Sequence, residues 1–148
     1  MAKKILIVQT AFLGDLLLSI PLIKSVKSNS PGAEINLVCR KGFGGFFKNS
    51  GLVADIFEIQ KKNSDSYNNV IEANRGTTYD LILCPHESFT TARLVSKIKA
   101  HKKVGFKKWW NSFFFTETIK KDYSFPDALR QMSLLLSLIH ISEPTRPY

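Results

Sequence analysis

The 148-residue sequence lacks the residue groupings that mark several common classes of protein. Neither Cys39 nor Cys84 has a cluster of cysteines or histidines near it at metal-ligand spacing. We therefore expect two small core residues in a reducing compartment rather than a zinc site or a disulfide framework. No run approaches the roughly 18 apolar residues that a membrane-spanning helix needs. The patterns G-x-G-x-x-G and G-x-x-x-x-G-K-S/T are absent, which argues against dinucleotide and nucleoside triphosphate sites of those kinds.

Acidic residues are also scarce. Twelve Asp and Glu against 21 Lys and Arg leave a net charge of +9, in a chain whose hydrophobic content of 44% is that of a globular domain. Eight lysines and one glutamate lie in residues 97–121, and Lys61-Lys62 forms a second basic cluster. This balance predicts an anionic partner: a phosphate-bearing substrate, an acidic membrane surface or nucleic acid. For any single lysine, an ordinary solvated surface is the alternative.

Short apolar strands alternate with helices along the chain. We predict strands at 4–8, 34–39, 54–59, 79–84, 103–106 and 113–119. We predict helices at 15–28 with an interruption near Pro21, at 42–49, 67–74 and 89–100, and from 127 onward. This alternation is typical of an α/β fold with a Rossmann-like, doubly wound parallel sheet.

The loop after the first predicted strand is the most informative segment for function. Ligands of open parallel sheets bind beyond the carboxyl ends of the strands, where helix N-termini present free amides. This loop offers one glycine, Gly14, and one carboxylate, Asp15. From the residues alone, Asp15 is either a general base at a cleft or a cap of the following helix.

The end of the chain differs in character from the rest. Residues 136–146 read LSLIHISEPTR, which resembles the conceptual translation of an adapter used to prepare sequencing libraries. A natural helix end with a proline-containing tail is the alternative. We predict a native domain over 1–135 and a non-native tail over 136–148, so that the chain is the N-terminal piece of a longer protein and His140 and Arg146 have no functional role.

A series of short motifs runs in order along residues 3–135. It comprises I-L-I-V-x-T-x-x-L-G-D at 5–15, S-I-P-L at 19–22, G-F at 42–43, V-A-D at 53–55, Y-D-L at 79–81, P-H-E-S at 85–88 with T-A at 91–92, and V-G-F at 104–106. This series resembles the glycosyltransferase family that contains the lipopolysaccharide heptosyltransferases. The chain departs from the family at Gln9 and Glu87, where the family often has Arg, and at Pro126, where it commonly has His, so we expect acceptor details to differ.

The resemblance implies the N-terminal, acceptor-binding domain of a two-domain GT-B-type glycosyltransferase. It implies inverting, metal-independent transfer of heptose from a nucleotide sugar, such as ADP-heptose, to an anionic glycolipid, with Asp15 as the base and no further cofactor. A C-terminal domain would bind most of the donor, so we expect the fragment alone to be inactive. We expect a cytoplasmic protein in peripheral contact with the inner membrane. The alternative is a non-catalytic basic module that binds anionic lipid or nucleic acid.

The predicted site combines the resemblance with the position of the charges. The predicted catalytic residue is Asp15, and the predicted acceptor-binding residues are Thr10, Gly14, Lys61, Lys62, His86, Ser88, Lys107, Lys108 and Arg130. A structural or solvent-exposed role is the alternative for His86. Trp109-Trp110 beside Lys107-Lys108 predicts a rim that faces the membrane. The same mixture of basic and aromatic residues suits nucleic acid, but no recognised nucleic-acid motif accompanies it and we expect no such partner.

Overall fold

The computed structural model describes residues 3–108, 113–121, 124 and 126–142, and from 136 onward it describes the backbone. The strands in this part of the chain are β1 (Lys4–Val8), β2 (Glu34–Arg40), β3 (Asp55–Ile59), β4 (Tyr79–Cys84), β5 (Ala100–Phe106) and β6 (Glu117–Ile119). They form one sheet in the order β3-β2-β1-β4-β5-β6, and every neighbouring pair is parallel. The predicted parallel α/β fold is confirmed.

β1 lies at the centre of the sheet. Ile7 pairs with Leu37 of β2 on one side and with Leu83 of β4 on the other. Because side chains alternate between the faces of a strand, Ile7 points to one face and Leu6 and Val8 point to the other. All three β1 side chains are 0% exposed. Burial on both faces explains why the strand is a continuous apolar run in the sequence.

Helices cover both faces of the sheet. They are α1 (Leu13–Leu17), α2 (Ile20–Asn29), α3 (Gly44–Asn49), α4 (Ser64–Ala73), α5 (Phe89–Ser96) and α6 (Asp127–Ser142). Side chains of α2, α3 and α6 pack with Ile7 in one core cluster, and side chains of α4 and α5 pack with Leu6 in a second. The sheet is therefore wound on both faces, as predicted.

Several predicted helix boundaries are wrong. The interruption predicted near Pro21 is confirmed, but α1 begins at Leu13 rather than at 15. Pro21 stands in the first turn of α2, where no intrahelical partner for its missing N–H is needed. The helix predicted over 89–100 ends at Ser96, because Ala100 already pairs with Tyr79 in the sheet. α4 begins at Ser64 rather than at 67, because the Asn63 side chain caps it.

Gly105 of β5 has a packing role. A Cβ atom at this position would lie 2.7 Å from the ring of Phe115, so the ring fits only over a residue without a side chain. Phe115 is buried in this position. The segment before β6 therefore packs as a turn against the sheet, and β6 is shorter than the strand predicted over 113–119.

The longest helix crosses the predicted domain boundary. α6 continues from Asp127 to Ser142 without a break at 136. The backbone therefore marks no limit between the predicted native part and the predicted tail, and that division stays a prediction. Within the described ranges, no helix is long and apolar enough to cross a membrane. Cys39 and Cys84 are buried and free, as expected.

Candidate functional site

The carboxyl ends of the strands meet at one edge of the sheet, which is where open parallel sheets bind ligands. Several cations are placed there by different strands. Arg40 ends β2, Lys61 follows β3 and Lys121 follows β6. Asp15 lies in α1, directly after the β1 loop. The topology thus places Asp15 at the same edge as cations that are far apart in the sequence.

A cleft of about 370 Å³ opens beside Asp15 at this edge. The loop after β1, the ends of β2 and β4, the segment after β6 and α6 form its walls. It is lined by Gln9, Ala11, Phe12, Asp15, Arg40, Pro85, His86, Glu87, Lys121 and Gln131. Asp15 and His86 are the two predicted site residues that the structure brings together here.

Asp15 occupies the third position of α1 and is half-buried. The N-cap position of α1 belongs to Phe12, and no side chain caps this helix with a hydrogen bond. The alternative that Asp15 serves as the helix cap is therefore wrong. Among the residues that the structure describes, none hydrogen-bonds to the Asp15 carboxylate or forms an ion pair with it. This carboxylate is available to accept a proton from a ligand in the cleft.

Buried amide side chains fix the backbone that carries Asp15. Gln9 Nε2 donates to Ser19 Oγ at 3.3 Å, and Ser19 Oγ in turn hydrogen-bonds to Gln131 Oε1 of α6. Gln131 Nε2 donates to the main-chain oxygen of Asp15 at 3.4 Å. Gln9 and Gln131 are each 3% exposed. Because Gln9 follows β1, Ser19 is the N-cap of α2 and Gln131 belongs to α6, these hydrogen bonds join three elements beside the cleft.

His86 follows β4 and faces the same cleft. Burial, together with the positive charges of Lys61 and Arg40, lowers the pKa of its imidazole to about 4. The ring is therefore neutral near pH 7 and offers one acceptor and one donor nitrogen. This placement supports the cleft-facing alternative for His86 over a solvent-exposed one.

Glu87, which lines the cleft, forms two ion pairs. Its carboxylate lies 2.7 Å from Lys108 Nζ and 2.8 Å from Lys121 Nζ. Burial raises the pKa of the Glu87 carboxyl, but the hydrogen bonds and charges of the two lysines outweigh it, and the net pKa is lowered. Lys121 Nζ also lies 5.2 Å from the centre of the Phe106 ring. Lys108, predicted to bind the acceptor, is thus held by a carboxylate of the protein itself.

A second and larger opening of about 690 Å³ lies between α4 and α5. Three predicted acceptor-binding residues, Lys61, Lys62 and Ser88, line this groove and not the Asp15 cleft. Lys61 also contacts the loop after β1, because its Nζ donates to Thr10 Oγ1 at 3.4 Å. Burial lowers the pKa of the Lys61 ammonium, and the neighbouring charge of Arg40 adds to this.

The other predicted contacts lie in different surroundings. Thr10 is 0% exposed, and its hydroxyl is 2.8 Å from that of Thr91, so it supports Lys61 from within the protein. Gly14 is exposed, and a Cβ atom there would meet nothing within 4 Å. Lys107 is exposed after β5, and Arg130 is half-buried on α6 outside the lining of either opening. Trp109-Trp110 lie outside the described residues.

Sequence reasoning missed the part of the site that depends on tertiary structure. Arg40, Glu87, Lys121 and Gln131 line the cleft but were not predicted as site residues. Their positions in the sequence could have identified two of them, because Arg40 ends β2 and Lys121 follows β6. Among the described residues, no group of three or more His, Cys, Asp or Glu could hold a metal ion.

The fold is that of solved glycosyltransferases. A family 9 glycosyl transferase from Veillonella parvula DSM 2008 has a TM-score of 0.83 at 21% identity, over 92% of this chain and 41% of that one. E. coli heptosyltransferase WaaC with ADP has a TM-score of 0.81 at 19% identity, over 97% and 49%. E. coli ADP-heptose lps heptosyltransferase II has a TM-score of 0.71 at 16% identity, over 88% and 39%. No family profile and no curated protein matches the chain.

The chain spans half or less of the length of these solved structures. The resemblance drawn from the sequence motifs is therefore confirmed as a likeness of fold, covering most of this chain. The roles assigned to Asp15 and to the predicted acceptor contacts stay predictions.

Proposed function

We propose that this chain is the acceptor-binding part of an inverting, metal-independent glycosyltransferase. The enzyme would transfer heptose from a nucleotide sugar, such as ADP-heptose, to an anionic glycolipid. The observation that carries the proposal is the Asp15 carboxylate, which lines a cleft at the carboxyl edge of the sheet without a protein partner among the described residues. The fold shared with two heptosyltransferases supports it.

The cleft contains the groups that such a reaction needs on the acceptor side. Inverting transfer requires a base that removes the proton of the acceptor hydroxyl as this oxygen attacks the anomeric carbon. Asp15 lines the cleft and has no ion pair with a residue that the structure describes, whereas Glu87 is already bound to two lysines. A base must be free to take the proton, so Asp15 is the better candidate of the two.

The neighbouring residues would bind and orient the acceptor. The Arg40 guanidinium lines the cleft and lies 4.6 Å over the ring of Phe12. A guanidinium held in this way can bind a carboxylate or phosphate of the acceptor in a fixed orientation. The neutral imidazole of His86 can accept or donate a hydrogen bond to a sugar hydroxyl without adding charge.

The donor would be held mainly by residues outside this chain. WaaC was solved with ADP, and the present chain matches about half of that structure. Transition-state contacts to the leaving nucleotide would then be missing from the 148 residues. We accordingly expect transfer from the full-length enzyme and none from this chain alone.

The direct test is nucleotide release by the full-length enzyme. ADP-heptose is supplied with a panel of glycolipids that carry carboxylate or phosphate groups, and ADP is measured over time. The proposal expects ADP release that requires both substrates and a new heptose on the glycolipid. Tight binding of anionic glycolipid with no heptose transferred to any acceptor would instead support the non-catalytic basic module.

A further inference from the structure

Phe12 combines two features that are unfavourable for folding. Its side chain is 68% exposed, although large apolar side chains are commonly buried. It also occupies the N-cap position of α1, where Ser, Thr, Asp or Asn would accept a hydrogen bond from a free backbone N–H and Phe cannot. Natural proteins break such local rules mainly at functional sites. Phe12 therefore needs an explanation other than the stability of the fold.

The Phe12 ring lies at the cleft that Asp15 lines. Of the described residues that form this lining, Phe12 supplies the one phenyl ring, and most of the others carry polar groups. Leu13 and Leu17 of α1 are exposed as well, but they line neither opening at the carboxyl edge. The exposure of Phe12 therefore differs from that of its apolar neighbours, because its ring borders the space that a ligand would fill.

Arg40 covers one face of the Phe12 ring. Its guanidinium carbon lies 4.6 Å from the ring centre, a distance at which a cation is attracted to an aromatic face. Because the Phe12 side chain is nevertheless 68% exposed, the opposite face of the ring is open. The contact restricts the orientation of the ring before any ligand binds. Phe12 thus presents a flat apolar surface in the wall of a polar cleft.

A sugar ring suits an aromatic face in polar surroundings. Its C–H groups lie on the faces of the ring, and their partial positive charge is attracted to the electron-rich face of an aromatic ring. Its hydroxyl groups extend from the edge and can bond to the polar groups that surround the apolar surface. Asp15 and His86 line the same cleft as Phe12. A sugar stacked on Phe12 would therefore have hydroxyl groups close to the proposed base.

We propose that the acceptor sugar stacks on Phe12 and is positioned there for attack. The identity of the ligand as the acceptor rests on the proposed function, whereas sugar binding at Phe12 can be measured without any transfer. The contact is apolar, so it contributes affinity that does not depend on the charge of the acceptor. Phe12 is thereby distinguished from Lys61, whose attraction for an anionic acceptor is weakened by salt.

The kinetic test compares Phe12→Leu with Phe12→Tyr in the full-length enzyme. Leu keeps the apolar character but has no flat ring, so the acceptor KM should rise roughly three- to tenfold while kcat changes little. The rise should be the same at low and high salt. Tyr keeps the aromatic face and should bind the acceptor as the parent enzyme does. The control is Phe46→Leu, since Phe46 is 58% exposed on α3 and lines neither opening.

An NMR measurement tests the stacking geometry directly. Methyl glycosides of glucose, galactose, mannose and glucuronic acid are each added at millimolar concentration to the full-length protein. Protons that lie over an aromatic face are shielded by its ring current, so the ring protons of at least one sugar should shift upfield. The shift should persist in Phe12→Tyr and in Phe46→Leu and disappear in Phe12→Leu.

Phe12→Ser separates ligand binding from folding. Ser restores a capping side chain to α1, so the melting temperature should stay the same or rise while the acceptor KM increases. A lower melting temperature with an unchanged KM would overturn the proposal and give Phe12 a structural role.

Two further results would contradict sugar stacking. Parent-like KM and sugar shifts in Phe12→Leu would mean that any apolar side chain suffices. Upfield shifts of the adenine protons of ADP, with none for any sugar, would assign the ring to the donor base. Sugar shifts that depend on Phe12 in a protein that transfers no heptose would refute the proposed function and uphold the sugar site.

Discussion

Lys61 donates a hydrogen bond from Nζ to Thr10 Oγ1, over a distance of 3.4 Å. Thr10 lies in the loop between β1 and Asp15, and Lys61 lines the groove between α4 and α5. This contact therefore ties Lys61 to the loop that carries Gln9, Ala11 and Phe12 of the Asp15 cleft.

Replacing Lys61 by Ala should weaken acceptor binding and largely spare the chemical step. In the full-length enzyme we expect the KM for the acceptor to rise and kcat to change little, because the lysine attracts the acceptor equally before and in the transition state. The effect should shrink at high salt, which screens partly exposed charges. The control is Lys99→Ala, an exposed lysine at the opposite edge of the sheet. A fall in kcat with an unchanged KM would contradict this role.

Gly14→Ala tests whether glycine is needed at this position for acceptor binding or for folding. No atom of the protein lies within 4 Å of a Cβ at this position, and Gly14 is the second residue of α1. Gly14→Ala should therefore stabilise the chain by about 0.5–1 kcal/mol in urea unfolding. If the acceptor passes over Gly14, the same variant should lose acceptor affinity in the full-length enzyme. Unchanged affinity would remove Gly14 from the site.

Glu87 should make stability depend on pH in the acidic range. Its folded pKa is lowered, so its stabilisation is present above the unfolded pKa and is lost as the pH falls through the folded pKa. We expect Glu87→Gln to cost about 1 kcal/mol at pH 7, since the two ion pairs are partly exposed. Urea unfolding of both proteins from pH 7 to pH 3 measures the difference, which should shrink toward the acidic end. A constant difference would contradict the ion-pair account.

His86 should add a second dependence on pH. With a folded pKa of about 4, the imidazole binds its proton less readily than in the unfolded chain, whose value is near 6.5. The contribution of His86 to the free energy of unfolding is therefore fully present above pH 6.5. It is lost as the pH falls toward 4, by on the order of 2 kcal/mol. His86→Asn should flatten this part of the stability curve. In an NMR titration, Arg40→Gln should raise the pKa of His86; an unchanged pKa would contradict the assigned cause.

The parallel sheet could be predicted from the sequence, whereas most of the residues that line the cleft could not. The continuous apolar run of β1 and the alternation of elements predicted a parallel sheet because burial on both faces leaves a local pattern. The pairing of Glu87 with Lys108 and Lys121 left no such pattern, since it joins residues from three different loops. Helix ends were missed where tertiary contacts decided them, as at Ala100, which joins the sheet.

The predicted role of Asp15 depended on the resemblance rather than on composition. The residues alone allowed a helix cap, and the structure gives the N-cap position to Phe12 instead. The Gln9–Ser19–Gln131 hydrogen bonds behind Asp15 were not predictable, because Gln131 lies 112 residues from Ser19 in the sequence. The sequence identified the loop that leads to Asp15, but the hydrogen bonds that hold this loop in place became visible only in the folded chain.

The most direct test of the account is Asp15→Asn in the full-length enzyme. Asn has nearly the size of Asp but cannot accept the proton, so turnover should fall by roughly 10²–10⁴-fold while acceptor binding changes little. The melting temperature should stay near that of the parent protein, because the Asp15 side chain makes no hydrogen bond or ion pair with the described residues. Near-normal turnover in Asp15→Asn would contradict the assignment of Asp15 as the base.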